Sequence, residues 1–128
     1  MGDRSNIFFR HGKGGIGVYA HSSGLEMASA AAKVITSKAF KARIGDANYA
    51  IRIGVQLVLE HLGADAKSDT GFGLWTPITG ADDNEYPYVV IDVNSGALFV
   101  AKDWKKPKST ERLAKPTAAT IKKRMQGG

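Results

Sequence analysis

The sequence predicts a two-layer α+β domain: an antiparallel sheet of about five strands, in the order ββααβββ, with two helices on one face. Three observations carry this expectation. Short runs of aromatic and β-branched residues, bounded by Gly, Asn and Pro turns, stand at both ends of residues 1–101. Two consecutive helical stretches lie between them. No strand–helix–strand alternation occurs, which argues against a doubly wound parallel sheet.

NIFFR at 6–10 and IGVYA at 16–20 read as a hairpin around a Gly-rich turn. Ser23 precedes Glu26 by three residues, as in a capping box, and Ala-rich sequence predicts a helix over 24–39. The second helix has Asp46 as N-cap, no proline through ANYAIRIGVQLVLEHL, and Gly63 at C′. Ile51, Val55, Val58 and Leu62 form one apolar face, and Ala50, Ile53, Leu57 and Leu59 widen it, so this helix is expected to be central and mostly buried. GFGLWTPI at 71–78 reads as a strand ended by Pro77, and TGADDNEYP at 79–87 as an acidic loop. YVVIDV, the turn NSG and ALFVA complete a hairpin over 88–101.

A chain of 128 residues suits one domain that buries about two-thirds of its unfolded surface. No apolar run reaches the ~20 residues of a membrane span, and MGDRSN lacks a signal-peptide pattern, so no membrane association is expected. With no Cys, disulfides, thiol nucleophiles and Cys-based zinc sites are excluded. The net charge of +6 is unevenly spread. Residues 102–128 hold nine basic groups against Asp103 and Glu111, leaving nine basic and ten acidic groups in 1–101. The expectation is a near-neutral body, 1–101, followed by a basic tail, 102–128, that is flexible or partly helical, with a short helix over 117–125.

GKGGIG at 12–17 invites comparison with a phosphate-binding loop, but Val18 and Tyr19 stand where a Lys and a Ser or Thr are needed. VYAHSS alternates like a strand where a helix should begin, so the glycines are read as turn residues. His11, His21 and His61 are the only histidines. His11 and His21 flank the hairpin with Asp3 nearby, yet they lack ligand spacing, and no metal or cofactor is expected. Asp82, Asp83 and Glu85 read as a solvated turn, and Ser22-Ser23-Gly24 is no nucleophile elbow. No catalytic constellation emerges, and the chain leans away from being an enzyme.

Several stretches together resemble small uncharacterised accessory proteins of actinobacterial tailed bacteriophages: MGDRSNIFF, VYAHSSG, DANYAIRI, TGFGLW and PYVVIDV, in that order through residues 1–101. Ser22 follows His21 where that group often carries an aromatic residue. The resemblance implies an α+β accessory protein made in the cytoplasm of a bacterial host.

Three functional expectations follow. The first is a non-enzymatic module that engages a host or phage macromolecule through its helix-free sheet face or the loop around 79–88. The second is non-specific nucleic-acid binding through Lys102, Trp104, Lys105, Lys106, Lys108, Lys122, Lys123 and Arg124, where cations and an aromatic interleave. The third is a ligand or enzyme site around Asp3, Arg4, His21, Tyr49 and Arg52. Arg52 stands out there as a charge in an apolar helix, with Asp3, Asp46 and Asp92 as candidate partners.

Overall fold

The run SNIFFRH is continuously apolar at Ile7, Phe8 and Phe9, and the computed structural model, which describes residues 3–81 and 84–127, shows why: both faces of this strand are buried. Strand β1 (Ser5–His11) lies inside a six-stranded sheet, with Ile7 and Phe9 on one face and Phe8 on the other. The other strands are β2 (Gly14–Ala20), β3 (Phe72–Trp75), β4 (Tyr88–Asp92), β5 (Leu98–Ala101) and β6 (Arg112–Leu113), in the spatial order β3-β2-β1-β4-β5-β6. The α+β class agrees with expectation, but the sheet is mixed. β1 runs antiparallel to β2, from Ser5↔Ala20 to His11↔Gly14, and parallel to β4, from Ile7↔Val89 to Arg10↔Asp92. β3 and β4 flank the first hairpin on opposite sides, so the chain leaving Trp75 must return across the sheet before Tyr88. A parallel pair requires such a crossover. Ala81 from this connection packs on the helix-free face, and Asn84 accepts a hydrogen bond from Asn6 Nδ2 at 3.2 Å.

The glycines of the first hairpin have distinct duties. Gly12, with φ +57°, opens a two-residue turn that only a glycine enters without strain. Gly17 leaves room for a ring: a Cβ there would lie 2.0 Å from Trp75 Cε2. Val18 belongs to β2, and no helix begins after the loop. The phosphate-loop pattern is a hairpin.

Four helices cover one face: α1 (Glu26–Thr36), the short α2 (Lys38–Lys41), α3 (Ala47–His61) and α4 (Ala118–Met125). The first predicted helix breaks at Ser37, whose side chain accepts from the Phe40 N–H and starts α2. Ser23 holds Glu26 through its backbone carbonyl, so no capping box forms. Asp46 is the N-cap of α3 without a side-chain cap bond, and Gly63 follows its end at φ +80°. The most buried helix is α1, through Met27, Ala28, Ala30, Ala31 and Val34. α3 buries only Ala50, Gly54 and Val58 fully, contrary to expectation. It docks close because Gly54 lies under Phe9, where a Cβ would come within 2.4 Å of the ring. This narrow seam leaves Ile51, Val55 and Leu59 half-exposed along one flank.

Two elements of residues 102–127 lie against the body. β6 extends the sheet beside β5, and Ile121 and Met125 of α4 enter the helix-covered core at 0% and 2% exposure. Apolar residues at this spacing bury one side of a helix whose other side carries Lys122 and Lys123. Among the described residues, no helix is long and apolar enough to cross a membrane.

Candidate functional site

The five residues of the expected ligand site separate into distinct neighbourhoods. Asp3 accepts a hydrogen bond from the Tyr86 hydroxyl at 2.8 Å, and its carbonyl accepts from Gly24 N–H at 2.7 Å. The bond to Asp3 raises the Tyr86 phenol above its ordinary pKa, helped by burial and the charges of Asp3 and Glu85. Arg4 pairs with Glu85 at 3.4 Å and accepts the Glu85 N–H at its carbonyl. Both residues therefore pin the end of the β3–β4 connection. His21 stands at the same end of the sheet, its Nδ1 3.0 Å from the Tyr19 hydroxyl. Tyr49 and Arg52 belong to the opposite end, where the turn before α3 bonds to Val93. Tyr49 lies under the Arg43 guanidinium at 4.7 Å, and Arg52 donates to Gln56 at 2.9 Å instead of to Asp3, Asp46 or Asp92. Scattered in this way, the five do not build one site.

His11 pairs with Asn94 beside the hairpin turn, a full strand length from His21. Among the described residues, no group of three His, Asp or Glu side chains is arranged to hold a metal. Of the acidic loop, Asp82 and Asp83 lie outside the described residues, while Glu85 is engaged by Arg4.

The basic residues of 102–128 also divide. Lys122, Lys123 and Arg124 ride on α4 over the helix-covered face. Lys102 and Lys108 donate their backbone N–H groups to the two oxygens of Glu111, at 3.0 and 2.8 Å. Burial alone would raise the Glu111 pKa, but the bonds from Lys108 and Lys102, together with their charges, hold it below its ordinary value. Glu111 thereby closes the loop 102–108 and sets the course of the chain that carries Trp104, Lys105 and Lys106.

That loop covers the helix-free face. Trp104 is 9% exposed, its ring edge-on to Phe8 and Trp75, each centroid 5.0 Å away. Trp75 in turn stacks on Phe8 at 5.0 Å above Gly17 and donates its indole N–H to Asn6 Oδ1 at 2.9 Å. A row across five strands, Trp75–Gly17–Phe8–Val90–Phe99, thus forms a second core under a loop. Because Trp104 anchors this core, it is not an open platform for stacking a base.

Beside the aromatic cluster lies a hollow of about 390 Å³ floored by Phe8, Pro77 and Trp104 and rimmed by Arg10, Lys13, Lys105 and Lys106. Arg10 is partly balanced by Asp92 at 3.7 Å, and Lys105 Nζ lies 5.4 Å from the Trp104 ring centroid. Lys13 belongs to the very turn that mimics a phosphate loop. Sequence reasoning missed Arg10 and Lys13, although the alternation of NIFFRH does put Arg10 on the Phe8 face.

A larger, apolar groove of about 740 Å³ runs along the opposite layer, between the flank of α3 and the edge strand β3. Ile16, Ile51, Val55, Leu59 and Leu74 line it, with Arg52, Gln56 and Glu60 along its rim. No family model, curated protein or solved structure matches the chain.

Proposed function

We propose that this chain is a non-enzymatic binding module that takes single-stranded nucleic acid on the helix-free face of its sheet. The carrying observation is the convergence of Arg10 and Lys13, from the first hairpin, with Lys105 and Lys106, some ninety residues later, around one apolar-floored hollow. Cations there neutralise phosphates and release counterions, while Pro77, the more exposed part of the floor, receives the edge of an unpaired base without stacking on Trp104. The hollow's volume of about 390 Å³ suits a single nucleotide unit and is too small for a duplex. Lys contacts read charge without reading sequence, so binding is weakly specific. The resemblance noted above supports the further reading of an accessory protein of phage origin, acting on nucleic acid in the host cytoplasm.

Fluorescence anisotropy with labelled oligothymidine and a matched duplex tests the reading. The single strand should bind more tightly, with log K falling by about 0.7 per phosphate contact for each tenfold rise in salt. Charge reversal at Lys13, Lys105 and Lys106 together should weaken binding by about tenfold or more. The same reversal at Lys122, Lys123 and Arg124 on α4 should change it little. Equal losses from both triple variants, or a duplex bound as well as the single strand, would refute the proposed face.

A further inference from the structure

The flank of α3 carries two parallel stripes of different chemistry. One stripe is apolar: Ile51, Val55 and Leu59, spaced four residues apart, form a wall of the large groove. The other is a ladder, in which Arg52 Nη1 donates to Gln56 Oε1 at 2.9 Å and Gln56 Nε2 donates to Glu60 Oε2 at 3.1 Å. Along the helix its charges read positive, neutral, negative. Such a stripe is self-complementary when reversed: a second α3, antiparallel and centred on Gln56, sets each Arg52 opposite the other copy's Glu60. The apolar stripe, centred one residue away on Val55, is brought to within about 3 Å of register by the same two-fold axis, inside the reach of its side chains.

The sheet beside it is equally unpartnered. β3 is an edge strand with β2 as its neighbour on one side, and its Leu74 points into the groove at 59% exposure. An uncovered edge next to an uncovered apolar helix flank is a liability in a free monomer. An isologous contact removes both, because each copy supplies the same helix flank and the same leucine.

We infer that the chain forms a two-fold symmetric homodimer through α3 and the Leu74 edge, with Arg52 of each protomer opposite Glu60 of the other. The contact lies on the helix-covered layer, away from the hollow of Arg10, Lys13, Lys105 and Lys106, so it stands or falls separately from the proposed nucleic-acid face.

Sedimentation of the full chain over a range of concentrations reads this directly. The expected result is a reversible transition from the 13.7 kDa monomer to twice that mass. Arg52→Glu and Glu60→Arg should each raise the dimer dissociation constant by about tenfold, because like charges then face one another twice per dimer. The double variant Arg52→Glu/Glu60→Arg should recover dimerisation, since the reversed stripe complements itself again. Leu74→Asp, at an exposed strand position with little part in folding, should hold the chain monomeric with an unchanged circular dichroism spectrum. A monomer at every concentration overturns the inference, and so does a dimer indifferent to Leu74→Asp. A double variant no better than either single one does the same, because it excludes the Arg52–Glu60 pairing across the axis.

Discussion

The two faces of the sheet are built from the same strands and solve the burial problem differently. On the helix-covered face, β-branched strand residues and Phe9 meet small helix residues, and closure comes from four helices, of which α1 and α3 are the longest. On the other face, Phe8, Trp75 and Trp104 pack against one another, and closure comes from loops tied by side-chain hydrogen bonds. Helices can fill a face with apolar surface alone. Loops bring backbone polar groups with them, so the aromatic face needs partners such as Asn6 and Glu111 to satisfy what it buries. The same need for connecting chain delivers lysines to its margin. The helix-covered face is therefore mainly structural where it is closed, and on the loop-covered face cations from distant segments meet around one hollow.

The strongest way to break this contrast is Phe9→Ala. It should lower unfolding free energy by about 3–5 kcal/mol in a denaturant titration, since Phe9 is fully buried against Gly54 and Phe40. A loss below 1 kcal/mol, on the order of a surface change, would mean that α3 is not seated as described. Gly17→Ala comes next, at about 1–3 kcal/mol, because a methyl group cannot coexist with the Trp75 ring in its present place. Tryptophan fluorescence should shift in parallel, and an unmoved spectrum would contradict the stacking over Gly17. Asn6→Ala leaves the buried Trp75 indole N–H without its acceptor and should cost about 1–2 kcal/mol. Trp75→Phe should erase most of the additional effect when the two are combined, a coupling that a double-mutant cycle measures.

The smallest effect belongs to Glu111→Gln, and its signature lies in pH. The Glu111 carboxyl is held below its ordinary value of 4.5 in the folded chain. Its contribution is therefore complete above that value and is lost as pH falls through the lower folded pKa. In Glu111→Gln a small loss of stability should appear at neutral pH and fade as pH falls through the folded pKa, so that the acid side of the profile flattens. Weakened oligonucleotide binding should accompany it, through loosening of the 102–108 loop. An unaltered acid profile would detach Glu111 from that role.

Much of the fold was legible because its signals are local. The turn at Gly12, the helix before Gly63 and the hairpin around NSG each follow from residues within a few positions of one another. The failures share a different origin. Whether YVVID pairs parallel to NIFFR depends on which side of a finished hairpin remains open, and no short window contains that information. Trp104 within KDWKKPK carries a signal of its own: a large apolar ring in a charged run is an anchor seeking a core. Arg52 is a charge in an apolar helix, and its four-residue spacing to Gln56 and from there to Glu60 is the pattern that places it in a ladder.

By itself the sequence determined the element types, the alternating faces of the strands, the emptiness of the phosphate-loop pattern and the concentration of positive charge after residue 101. Only the tertiary structure decided the parallel β1–β4 pairing, the docking of α4 and the meeting of Arg10 and Lys13 with Lys105 and Lys106. The reason is range. Periodicity and turn chemistry act over a few residues, whereas the closure of two opposite sheet faces is settled by which distant segment can cover each while satisfying its own polar groups.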